Sequence, residues 1–243
     1  MKQWLLTLAG LCLFGSLTAQ ISEGVIRYEV TIDVHRNIPP EREELKAMIP
    51  QYRTDHFELF FNESESLYRP EEDVEAESGA RGGGGGGGMR MMMRTPRTET
   101  HIDKEERVVT VLQDFMGRNY LISEELDIMP WRIGSEQMEI AGYMCMMAWY
   151  NDTVQGQEIT AWFTPHIQPF LGPDRFVTLP GTVLAVDINN GERVWVAREV
   201  EERPLRRGEL RKPDRGERMS REEFREMVEE QRERMGGRGG LRF

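Results

Sequence analysis

Sulfur is the first chemistry this chain suggests. Met89, Met91, Met92 and Met93 follow seven consecutive glycines in the stretch RGGGGGGGMRMMMR, and Met144, Met146 and Met147 surround Cys145 in YMCMM. Thioether and thiolate ligands are soft and favour Cu(I) over zinc or magnesium. A Cu(I) site drawn from Met89, Met91, Met92, Met93, Met144, Cys145 and Met146 is therefore the metal centre the sequence could offer. Strand geometry constrains it, because side chains alternate between faces. Met144 and Met146 would share one face, Cys145 and Met147 the other, so the loop methionines would have to fold back onto the strand. The competing reading takes the methionines as ordinary apolar residues, with the exposed ones acting as oxidant sinks.

Other chemistries lack their parts. There is no GxSxG, no HExxH and no P-loop, and the glycine run is not followed by a Lys-Ser/Thr pair and a helix. A nucleophilic Cys145 would need a base and a lowered pKa, and the sequence supplies neither beside it. His35, His56, His101 and His166 read as isolated, with no carboxylate or cysteine at ligand spacing. The expectation is a protein that is not an enzyme and holds no cofactor, with Cu(I) as the alternative. The formal net charge is −11; residues 203–243 hold 13 Lys/Arg against 9 Asp/Glu, so the remainder carries −15. An acidic body repels phosphates and excludes nucleic acid as a partner.

These residues need elements to position them. Residues 1–19 (MKQWLLTLAGLCLFGSLTA) show one early lysine, an apolar run and small residues before Gln20. That predicts a signal peptide, since the run is shorter than the ~20 residues a bilayer span requires. An exported mature chain without a membrane helix follows, in the periplasm or associated with the outer membrane. Cys12 would leave with the signal, making Cys145 the one remaining cysteine and an internal disulfide impossible.

Period-two alternation in GVIRYEVTIDVH marks a half-buried strand. Similar character recurs in DHFELFFN, ESLYRP, TETHID, RVVTVLQDF, RNYLISEE, MEIAGYMCMMAWYN, QEITAWFTP, GTVLAVDINN and ERVWVAREVEE. The intervening MGRN, NDTVQGQ and NNGE are hairpin turns. Strands joined by short turns give an antiparallel meander. PPEREELKAMIP predicts a short helix, and Ser220 with Glu223 predicts a capping box that opens a second, stopped by Gly236. The second helix carries a narrow stripe of Phe224, Met227 and Val228. The fold class is mainly β: a curved antiparallel sheet or open barrel with one or two short helices. The β domain is placed at 20–203, with a Gly/Met-rich loop insertion at 71–97, followed by a charged tail at 204–243.

The block from residue 131 to 186 resembles the GLPGLI family. Its signature maps to Trp131, then Ile140, Gly142, Tyr143, Cys145 and Ala148, then Ala161, Trp162, Phe163, Thr164, Ile167, Gly172, Pro173 and Phe176, and ends at Leu179, Pro180 and Gly181. Thr178 stands where the name motif begins with glycine, and Thr182–Val183 replace its final pair. The resemblance implies an exported protein of a Gram-negative envelope and carries no established activity. The strand pattern is also similar to the open sheets of the lipoprotein carrier LolA, a likeness of fold alone. Leu179-Pro180-Gly181 reads as a turn in which proline fixes φ and glycine permits an unusual one. Trp131, Tyr143, Trp162 and Trp195 are expected on the packed or concave side, where they could form a ligand surface. The expected role is non-catalytic binding of an apolar ligand or an envelope protein partner. Asp152-Thr153-Val154 also matches a short pattern that is glycosylated at the hydroxyl residue in some bacterial envelopes.

Overall fold

The computed structural model describes residues 20–71 and 98–236. The expected signal peptide and Met89, Met91, Met92 and Met93 lie outside the described residues. The body is one twelve-stranded sheet. In chain order the strands are β1 (Gly24–Asp33), β2 (Tyr52–Phe61), β3 (Glu65–Pro70), β4 (Thr98–Asp103), β5 (Val108–Phe115) and β6 (Arg118–Glu125). They continue with β7 (Arg132–Ile140), β8 (Tyr143–Asp152), β9 (Gln157–Thr164), β10 (Thr182–Ile188), β11 (Arg193–Glu202) and β12 (Glu217–Met219). A 3-10 helix over Pro40–Ala47 occupies the segment expected to be helical, and α1 (Arg221–Gly236) follows β12. No helix among the described residues is long and apolar enough to cross a membrane.

Spatial order is β12-β6-β5-β4-β3-β2-β1-β11-β10-β9-β8-β7. Two antiparallel meanders, β1 to β6 and β7 to β11, are stitched together by β1 against β11. Among the described strands, β12 alone departs from antiparallel pairing, running parallel to β6. The expected insertion at 71–97 falls between neighbours β3 and β4.

Chain length forces the sheet to curl. Ten inter-strand gaps separate β6 from β7 in the sheet order, which laid flat is roughly 48 Å at ~4.8 Å per gap. Residues 126–131 are all that join them, and an extended chain of that length reaches only about 25 Å. The sheet stays open, with β7 and β12 as its edges, yet β7 comes back against β11.

The turns follow local chemistry. Met116-Gly117 (φ 54° and 78°) closes β5–β6, and Asn189, Asn190 and Gly191 with positive φ close β10–β11, as MGRN and NNGE predict. MEIAGYMCMMAWYN is not one strand. Ala141-Gly142, at φ 50° and 83°, folds it into the β7–β8 hairpin. Glycine at 142 is required by φ rather than by space, because nothing lies within 4 Å of where a Cβ would sit. The capping box forms as expected: the Glu223 N–H donates to Ser220 Oγ at 3.1 Å, and the Ser220 N–H donates to Glu223 Oε2 at 2.7 Å. Phe224 then seats α1 on the sheet edge through edge-on contacts with Phe115 and Tyr120.

The inner face of the sheet encloses the main core, and the β9–β10 connection fills it. Ile167, Leu171, Val177 and Leu179 are 0–1% exposed. Phe176 packs edge-on to Trp195, with ring centroids 5.5 Å apart, while Val177 joins a second cluster with Ile102, Val109, Val111 and Ile122. This plug, residues 165–181, therefore ties the two meanders together. Polar pins hold it. Lys104 donates to the Asn62 carbonyl at 3.0 Å and to Gln168 Oε1 at 2.9 Å, and burial lowers its pKa to about 8. The Tyr28 hydroxyl donates to the Val183 carbonyl at 2.6 Å deep in the core.

Candidate functional site

Of the sulfur ligands predicted from sequence, Met144, Cys145 and Met146 lie among the described residues. Cys145 is fully buried in the core, whereas Met144 is 49% exposed. Met146 pairs with Phe163 and packs against the core, while its neighbour Met147 pairs with Trp162. Burial pushes the Cys145 thiol up to about 11, so at neutral pH it is a protonated thiol rather than the thiolate a soft metal binds. No group of three or more His, Cys, Asp or Glu side chains suited to a metal occurs among the described residues. Cys145 is expected to resist a disulfide labelling reagent at pH 8 in the folded protein and to react once guanidinium unfolds it. Labelling at the same rate in both conditions would show that the site opens.

The four aromatic residues do not converge either. Trp195 faces inward, partnered with Val30, and is buried against Phe176. Trp131 meets Tyr150 edge-on at 4.6 Å and donates from Nε1 to Thr178 Oγ1 at 3.1 Å. Trp162 lies in the register row Met147–Trp162–Ala185–Val196, beside the row Ala148–Ala161–Val186–Trp195. Adjacent rows point to opposite faces, so Trp162 leaves the sheet on the side away from Trp195, partly buried and packed against the same main cluster. Tyr143 sits at the start of β8, half-buried against the core.

The name motif serves the plug. Leu179 is buried, Pro180 is exposed, and Gly181 lies outside the positive-φ region, contrary to the turn expected from its sequence. Glycine is needed there because a Cβ would sit 2.3 Å from the Thr164 carbonyl oxygen. The departure at Thr178 is put to use, since its hydroxyl accepts from the Met129 N–H as well as from Trp131. The Asp152-Thr153-Val154 pattern occupies the exposed β8–β9 turn, where Asp152 accepts from the Val154 and Gln155 N–H groups at 2.9 Å.

The feature that sequence reasoning missed lies on the outer face. Successive register pairs align Val25, Phe60, Leu67, His101, Thr110 and Ser123 in one row across β1 to β6. The first five are at most 2% exposed, although the core clusters lie on the other face. Residues 203–216 cover them as a strap that leaves β11, crosses this face and ends as β12. Arg203 clasps Glu209 through two hydrogen bonds at 2.7 and 2.8 Å, and this contact holds the Glu209 carboxyl down to about 2. The Leu205 N–H donates to Glu23, and Pro213 is buried.

Under the far end of the strap is an opening of about 540 Å3. Thr110, Leu121 and Ser123 form its floor, Lys212, Pro213 and Asp214 its roof, and Arg218 of β12 one wall. Beside the floor, His101 is 1% exposed and its Nε2 lies 2.8 Å from Glu65 Oε2. Its Nδ1 is buried and has no hydrogen-bond partner among the described residues. His101 is thus not isolated. Glu65 stands 36 residues away and meets it only because β3 and β4 pair.

No family model and no curated protein matches the chain. Among solved structures it is similar to PNGF-II. The structure in space group P21 superposes with a TM-score of 0.59 at 15% identity, over 87% of this chain and 34% of that one. The structure in space group C2 gives 0.58 at 16%, over 87% and 33%. The chain spans about a third of the length of PNGF-II, and at this identity the likeness is one of fold alone.

A further surface feature is the β7 edge. Residues 132–139 are exposed apart from Gly134, with Ile133 at 59% and Met138 at 44%. Their backbone pairs with β8 on one side, and no described strand takes the other.

Proposed function

We propose that this protein is a non-catalytic, exported envelope protein of the GLPGLI type that binds a protein partner by strand addition at β7. The β7 edge, nine residues long and unpaired among the described residues, carries the reading. An unpaired edge offers a row of backbone donors and acceptors, which an extended partner segment completes. Arg132, Glu136 and Glu139, together with the register slip between Ile133 and Gln137, disfavour pairing with another copy. Ile133 and Met138 remain as apolar holds. Carriage of an apolar molecule inside the sheet is the weaker version, because the inner face is packed by residues 165–181.

Native mass spectrometry of the protein released from cell envelopes in mild detergent tests this. The expected result is a complex with one other protein at fixed stoichiometry, lost in Ile133→Lys/Met138→Lys while the variant stays folded. A lipid-sized adduct instead, or a complex that survives both substitutions, would overturn it.

A further inference from the structure

We infer that the pocket beneath the strap binds a small molecule through an oxyanion group, a phosphate, sulfate or carboxylate. Four observations on the same few residues carry this. Lys212 and Arg218 both line the pocket and meet no carboxylate in an ion pair among the described residues. The one acid of the lining, Asp214, is held by Arg211 at 2.9 Å. Two cations thus stand together on the face of a chain whose body is strongly acidic, which is the arrangement that concentrates an anion locally.

Hydrogen-bond accounting points the same way. Thr110 Oγ1 and Ser123 Oγ lie 3.4 Å apart. Whichever donates to the other, one O–H remains to be given to a ligand in the pocket they both line. Thr110 is also the cross-strand partner of His101 on the same face. Glu65 accepts from the Nε2–H of His101, which leaves Nδ1, buried without a partner among the described residues, to accept from a water or from a ligand O–H such as that of a hydrogen phosphate. A buried polar atom left unmatched calls for a water or a ligand group. The opening has the volume of a small-molecule site, and it is roofed by a segment held at one end by the Leu205–Glu23 hydrogen bond and at the other by β12.

The test is a titration of the full chain with sodium phosphate, followed by NMR of the backbone amides and the His101 ring protons. Sodium acetate and sodium chloride at matched ionic strength run in parallel. Saturable shifts at His101, Thr110 and Ser123 are expected with phosphate or acetate, and the stronger of the two identifies the class of headgroup. Lys212→Ala/Arg218→Ala removes exposed side chains and should leave the amide spectrum elsewhere unchanged while weakening binding at least tenfold. Lys46→Ala, which removes a charge remote from the pocket, should leave the affinity as it was. Shifts that chloride reproduces, shifts that persist unweakened in the double variant, or no shifts at all would each overturn the assignment.

Discussion

Gly181→Ala is expected to destabilise the protein by about 3 kcal/mol, the upper end of what overpacking costs. The added methyl would lie 2.3 Å from the Thr164 carbonyl oxygen, 2.8 Å from its carbon and 2.9 Å from Phe163 Cδ2. Two of those atoms are backbone of Thr164, which pairs with Thr182 at the end of β9, so neither can swing aside as a flexible side-chain tip could. The plug or the start of β10 has to move instead. Gly142→Ala is the matching control: it meets nothing within 4 Å and carries only the strain of φ +83°, worth about 1–2 kcal/mol. Urea midpoints of the two variants decide the matter. A Gly181 variant no more damaged than the Gly142 variant would mean that the plug gives way and that close approach does not explain the motif glycine.

The second large effect concerns Phe176. Phe176→Ala should cost about 3–5 kcal/mol, the range for emptying a buried aromatic site. Phe176 is 8% exposed and packs in the main cluster, while the next residue, Val177, packs in the second. Losing the ring therefore loosens the junction between the two meanders as well as leaving a void. Its edge-on partner is Trp195, so native-state tryptophan emission should move toward the red as well. Phe170→Ala, at a ring 49% exposed in the same plug, should stay within about 0.5 kcal/mol of the parent. Equal losses at both positions would show that the plug does not bear on the core as described.

Much of the fold could be read locally. Alternation in GVIRYEVTIDVH gives β1 with Ile26, Tyr28, Val30 and Ile32 inward, because the side-chain period of a strand is fixed by its backbone. Met116-Gly117 and Asn189-Asn190-Gly191 are turns because few other residues tolerate positive φ. Ala141-Gly142 escaped notice since alanine seldom adopts that conformation, and the apolar run on either side reads as continuous. The described part of the sulfur cluster is likewise placed by the fold. Sequence places Met144, Cys145 and Met146 side by side, whereas the fold sends Met144 toward solvent and Cys145 into the core.

Sequence by itself determined most of the strands and turns, the capping box of α1 and the mainly β class, since each rests on patterns spanning a few neighbouring residues. Tertiary structure alone decided that the sheet curls, that residues 165–181 fill it, that the strap crosses its outer face, and that Glu65, His101, Thr110 and Ser123 align. Those arrangements are set by strand register and by the reach of connections. Both join residues tens of positions apart, and no local pattern records which partner each will meet.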